Sequence, residues 1–221
     1  MRIALALFAL VFLSACNVVV TKTPLLTTAD EAGAPPLKPG VWVMEDPDCK
    51  FDEHLALPDW PDCAGGMVFK DGEAISHDKK EGKNVWEHQP LILAGGDPRI
   101  AQVRFHMNMS SGDKSASDQM LYGYAGVRPT KVGPEGRIIA VTYWTVDCGP
   151  PPPPSKRPED ALKFGTRKPL PGMEMKKGDA LCTTSSVSAL RGAAKASEAW
   201  RDKPLNAHWA RPAGPRDLPP S

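Results

Sequence analysis

Apolar and polar side chains alternate between residues 102 and 109: Val103, Phe105, Met107 and Met109 fall among Gln102, Arg104, His106 and Asn108. A period of two sends successive side chains to opposite faces, so this stretch predicts a strand with one face packed and the other in water. The apolar run 91–94 precedes it across the turn sequence Gly95-Gly96-Asp97-Pro98, and the two predict the clearest strand pair in the chain. Further strand-like runs lie at 40–44, at 66–70, around Ala74 and Ile75 after the turn residues Asp71-Gly72, and at 120–127, where Tyr122 and Tyr124 recur two apart. Residues 137–146 are β-branched and aromatic with apolar side chains on both faces, which predicts a central strand covered on both sides. Residues 77–84 and 110–118 are polar and read as loops, and 128–136 as a turn.

A helical period enters towards the C-terminal end. Ser186 is placed to cap a helix that ends near Trp200, with Ala189, Ala193, Ala196 and Trp200 on one stripe and Val187, Leu190 and Ala194 beside it. That helix is expected to pack on the sheet or to lie across an open end of it. Prolines mark the edges. Residues 17–39 pass from Val18-Val19-Val20 into Thr, Ala and Gly with Pro24, Pro35, Pro36 and Pro39, and read as a tether. Pro150 to Pro154 predict stiff polyproline II, residues 159–164 a single helical turn, and residues 204–221 a loose tail. The fold expected is mainly β, a small antiparallel barrel or sandwich of about seven or eight strands with one C-terminal helix; α+β is the alternative.

At the other end, Met1-Arg2 is followed by the apolar residues 3–12 and then by small residues, the layout of a secretory signal. Leu13, Ser14, Ala15 and Cys16 resemble the lipobox of bacterial lipoproteins. The resemblance covers the first sixteen residues only. It implies cleavage before Cys16, diacylglycerol on the Cys16 thiol and acylation of the new amino terminus, so two or three acyl chains would hold the protein to a membrane durably. In that family a residue other than Asp after the lipidated Cys implies the periplasmic face of the outer membrane, and Asn17 fits this. The expected organisation is therefore a signal peptide at 1–15, a lipidated cysteine and tether at 16–39, a β-rich domain at 40–203 and a Pro-rich tail at 204–221.

With Cys16 given to lipid, Cys49, Cys63, Cys148 and Cys182 form an even set, as expected in an oxidising compartment. Of the three pairings open to them, Cys49 with Cys63 and Cys148 with Cys182 is expected, because each pair brackets a loop-like stretch between extended segments. A zinc site is disfavoured because no two cysteines have C-x₂₋₄-C spacing. Lys and Arg number 27 against 26 Asp and Glu. Removing residues 1–15 takes away one cation, Arg2, and leaves the charges in balance, which argues against nucleic acid as a partner.

Candidate chemistry is thin. Glu45, Asp46, Asp48, Asp52, Glu53, Asp59 and Asp62 crowd together, but not at calcium-loop spacing, and read as a solvated acidic loop. His54, His77, His88, His106 and His208 are scattered without metal-ligand spacing, and no G-x-S-x-G, G-x-G-x-x-G or P-loop pattern occurs. No metal is implied, and no cofactor beyond the covalent lipid on Cys16. The function expected is that of a non-catalytic envelope lipoprotein, either a ligand-binding module or an accessory part of an envelope assembly. Its partners would be the membrane, through the anchor, and an envelope protein or a small apolar ligand. Trp42, Trp86, Tyr122, Tyr124 and Trp144 are the candidate pocket aromatics. The alternative is an envelope hydrolase whose carboxylate and His106 are brought together by the fold.

Overall fold

The computed structural model describes residues 17–80, 83–109, 117–150, 168–175, 181–200 and 205–220. The signal segment with Cys16, most of the proline run and the predicted helical turn at 159–164 lie outside these residues. The described elements are β1 (Val18–Thr21), β2 (Gly40–Met44), β3 (Gly65–Lys70), β4 (Glu73–Lys80), β5 (Lys83–Ala94), β6 (Arg99–Met109), β7 (Ser117–Val132), β8 (Ile138–Thr145), β9 (Glu174–Met175), β10 (Leu181–Thr183), α1 (Val187–Ala199) and β11 (Leu205–Arg211).

Consecutive hairpins carry the chain from β2 through β8, and β11 then enters between β8 and β2, antiparallel to both. With β6 also paired to β7, the result is a closed antiparallel barrel of eight strands, β2 to β8 and β11. Closure leaves no ladder edge around the paired girdle. The turn at Asp71-Gly72 has positive φ at both residues (51° and 79°), the backbone a tight right-twisted hairpin requires. Strands β1, β10 and β9 extend the sheet beside β7. The two disulfides are Cys49–Cys63 and Cys148–Cys182, the pairing expected from the sequence.

The barrel wall is packed on both faces. Inside lie Trp42, Leu93, Val127, Ile138, Val141 and Ala207. Outside, one cluster gathers Val19, Leu26, Tyr124 and Val146 beneath Leu190, Ala193 and Ala194 of α1. On another stretch of wall, Val41, Val43, Val68 and Ile75 are covered by Leu57 and Trp60 from the stapled loop 49–63. This double covering explains the apolar residues on both faces of 137–146. Helix α1 is capped by Ser186, whose side chain accepts from the Ala189 N–H, and it packs on the outer wall of β7 and β8.

Four expectations are corrected. Residues 17–39 are not a free tether: Val18, Val19 and Val20 are buried in β1, Leu26 is buried, and the backbone around Pro36 and Lys38 bonds to that of Ile138. Proline removes a donor there but leaves the carbonyl to accept. Of the expected loose tail 204–221, the described residues 205–220 are ordered into the fold, because β11 closes the barrel with Leu205, Ala207 and Trp209 turned inward. Within the expected loop 77–84, residues 77–80 and 83–84 are strand, the far ends of the paired β4 and β5, in which Trp86 and His88 alternate with Glu87 and Gln89. Finally, the outer face of β6 is not all in water. Gln102 is 3% exposed, accepting from Leu25 and Leu26 N–H and donating to the Leu26 carbonyl, so residues 25–26 lie across it.

Candidate binding cavity

The barrel interior holds an apolar cavity of about 120 Å³ that is partly open to its surroundings. Register assigns its walls. Met67 and Phe69 of β3, Leu91 and Leu93 of β5, Val127 of β7 and Val141 of β8 all fall on inward positions. The space exists because small residues stand at other inward positions: Ala74, Ala101, Ala125, Ala207 and Gly123. Ala101 faces Ala125 directly across β6 and β7, where two larger side chains would meet in the middle. Trp42 floors the cavity, packed edge-on against Phe69 at 5.5 Å, with its indole N–H donating to the Lys38 carbonyl at 2.8 Å. Trp209 donates to the Pro39 carbonyl at 2.9 Å, and Lys38 Nζ lies 4.1 Å from the centre of its ring. Residues 37–39 thus cover one end of the barrel, with Leu37 against the interior.

Few polar atoms reach this space. Tyr143 points inward from β8 with no hydrogen-bond partner among the described residues, and burial pushes its phenol up to about 12. Gln89 of β5 and Thr145 of β8 are the other polar liners. No carboxylate or histidine is among the lining residues. A hydroxyl and an amide in an apolar chamber can orient one polar group of a guest, while affinity comes from the apolar surface.

The wall is interrupted on one side. β5 and β6 pair from Ala94↔Ile100 to Leu91↔Val103, yet both continue well beyond that rung, paired only to β4 and β7 respectively. Pro90 explains where the ladder stops. Leu91 N–H donates to Gly72 on the β4 side, so the backbone groups of position 90 point towards β6, and proline has no N–H to offer there. Beyond this fork the two hairpins continue without pairing to each other, and Gln89, the first inward residue past it, lines the cavity.

Of the aromatics singled out by sequence, the structure brings Trp42 to the cavity. Tyr124 and Trp144 border the cavity from within the wall, but their side chains lie outside: Tyr124 hydroxyl pairs with Thr21 Oγ1 at 2.6 Å, and Trp144 Nε1 donates to Ala194 O at 2.8 Å beneath α1. Tyr122 packs against the same outer cluster, and Trp86 lies tilted against His77 outside, centroids 4.8 Å apart. Phe69, Tyr143 and Trp209 were missed. Their signal is a bulky aromatic two positions from another inward residue, Met67, Val141 and Ala207 respectively, legible only once the inward parity of each strand is known. His106 lies on the exposed outer face of β6, away from the cavity.

The acidic loop is more organised than a solvated run. Glu45 and Glu53 bracket His208 of β11, at 2.9 Å from Nδ1 and 3.2 Å from Nε2. Burial works against the charged ring, but hydrogen bonds to Glu53 and Glu45 hold its pKa above the ordinary 6.5. This cluster lies on the barrel's outside. Among the described residues no group of three or more His, Cys, Asp or Glu is placed to hold a metal ion.

The chain matches no protein-family model, and comparison with curated proteins and with solved structures finds no match.

Proposed function

We propose that this chain is a non-catalytic envelope lipoprotein whose barrel binds one small apolar ligand. The observation that carries the reading is the apolar cavity inside the barrel with the Tyr143 hydroxyl and the Gln89 amide in its wall. Eight-stranded barrels have an interior just wide enough for side chains to fill or for one small ligand to occupy, and here alanines and a glycine leave it unfilled. A cavity of about 150 Å³ lined by aliphatic and aromatic side chains takes benzene, so a body on that order suits this one. The lipobox resemblance supports placing the protein on a membrane through lipid at Cys16, and Asn17 supports the periplasmic face of the outer membrane.

Calorimetric titration of the folded protein with toluene tests the binding reading. Saturable binding is expected, with a rise in the thermal midpoint that grows with toluene concentration, because a ligand that binds only the native state stabilises it by mass action. Replacing Ala125 with Leu, which projects into the cavity, should abolish both effects while leaving the β-sheet circular dichroism unchanged. Absence of toluene binding to the wild type overturns the proposal.

A further inference from the structure

We infer that the ligand is a single-chain amphiphile carrying a carboxylate, that its chain enters through the fork between β5 and β6, and that its head stays outside beside Arg104. This rests on the apolar-binding reading above and adds the way in and the chemical class. Three observations converge. First, the end covered by residues 37–39 is stoppered by Leu37, Trp42 and Trp209, so a guest does not pass there. Second, the ladder between β5 and β6 ends at Leu91↔Val103, two residues that themselves line the cavity. The missing rung is the one Pro90 and Arg104 would have formed, and Gln89 carries the cavity lining one residue past the break. A wall that is hydrogen-bonded elsewhere around the girdle therefore parts at the level of the chamber.

Third, the cavity accepts an apolar body on the order of benzene, so a longer molecule must leave part of itself in the opening. That part meets water and the outer face of β6, where Arg104 is the residue at the missing rung. Arg104 is exposed and has no acidic partner among the described residues. On the facing strand His88 already binds Glu73 at 2.9 Å, so the anion the fork can take goes to the guanidinium. A guanidinium recognises a carboxylate through paired charge-assisted hydrogen bonds, which an alcohol does not match. The pattern is an apolar slot, a gap beside it and a cation at the gap's rim.

The test uses octanoate and 1-octanol on the full folded chain, in three proteins: wild type, Arg104→Gln and Pro90→Val. Wild type is expected to bind octanoate more tightly than octanol. Arg104→Gln should weaken octanoate by roughly tenfold, the weight of one charge-assisted contact, and leave octanol unchanged. Pro90→Val restores the missing N–H, so the amide at position 90 should become protected from hydrogen exchange, and both probes should associate and dissociate several-fold more slowly at similar affinity. A second closure, His88→Cys with His106→Cys, should slow exchange of both probes when oxidised and release it on reduction, with wild type carried through the same reductant as control for the native bridges. Binding of toluene without either eight-carbon probe would overturn this inference and leave the apolar-binding reading standing. Failure of all three to bind would overturn both. Unchanged probe kinetics in a protected Pro90→Val protein and in the oxidised double-cysteine protein would exclude the fork as the way in, and equal losses for octanoate and octanol in Arg104→Gln would exclude the head contact.

Discussion

Arg211 grips Asp217 with both arms of its guanidinium, Nη1 at 2.6 Å from Oδ2 and Nη2 at 2.9 Å from Oδ1. Asp217 is 2% exposed, and the same carboxylate accepts the backbone N–H of Leu57 at 2.8 Å and of Gly214 at 2.7 Å. Arg211 in turn donates to the carbonyls of Glu53 and Leu55. One ion pair therefore joins the last barrel strand, the segment after it and the stapled loop 49–63. Removing one partner of such a pair leaves a buried charge uncompensated, so Asp217→Ala is expected to cost about 3–5 kcal/mol in urea denaturation. Replacing both with apolar residues, Arg211→Met with Asp217→Leu, should cost much less than the two single losses together, because no charge is then stranded. Burial opposes the Asp217 charge, but the Arg211 hydrogen bonds and the two N–H groups hold its carboxyl below the ordinary 3.8. Its contribution is therefore complete above pH 3.8 and is lost as pH falls through the lower folded value. The gap between wild type and Asp217→Ala should narrow over that acid range.

His208 carries the opposite sign. Its folded pKa lies above 6.5, so its stabilisation is fully present below pH 6.5 and disappears as pH rises through the raised folded value. The three side chains are all substantially exposed, which limits the effect to about 1 kcal/mol or less. His208→Gln should thus be less stable than wild type at pH 5.5 to 6 and indistinguishable from it at pH 9. A constant difference across that range would show that the imidazole acts by packing and not by charge.

Gly126 stands opposite Trp144 on β7 and β8, and a methyl group there would lie 2.3 Å from the indole Cε2 and Nε1. Trp144 cannot easily give way, since it is buried and tied to the Ala194 carbonyl of α1. Gly126→Ala is expected to cost about 1–3 kcal/mol through overpacking. The thermal midpoint should fall accordingly. In a Trp144→Phe background, which shortens the ring on that side, the penalty should shrink.

What could be read in the sequence follows from which signals are local. The alternation at 102–109, the Asp71-Gly72 turn, the Ser186 cap and the two disulfides depend on near neighbours or on parity of cysteine number, and each was legible. Closure of the barrel was not, because it depends on β11 entering between β8 and β2, and residues 204–221 look like tail from their prolines alone. The burial of residues 17–26 is hidden from the sequence for a related reason. Their burial is supplied by partners far along the chain, Gln102 and Tyr124 among them. The cavity was half legible. Trp42 stands out in the sequence as an aromatic, but the alanines that create the space are inconspicuous, and an Ala reads as lining only when the strand around it is known to curve into a barrel.

Ala101 and Ala125 give the sharpest remaining measurement. They face each other inside the barrel, and nothing in the backbone of β6 or β7 at these positions requires a small residue. Empty volume in a core is costly, by about 24 cal/mol per Å³ in cavity-creating substitutions, so part-filling this one should be favourable if the larger side chain fits. Ala125→Val is therefore expected to raise stability by about 0.5–2 kcal/mol in urea denaturation while weakening toluene binding. The two effects must move together if the alanines are kept for a guest at the expense of packing. A destabilised Ala125→Val protein would instead mean that the interior is already filled to its limit, and the space would then be no vacancy for a ligand.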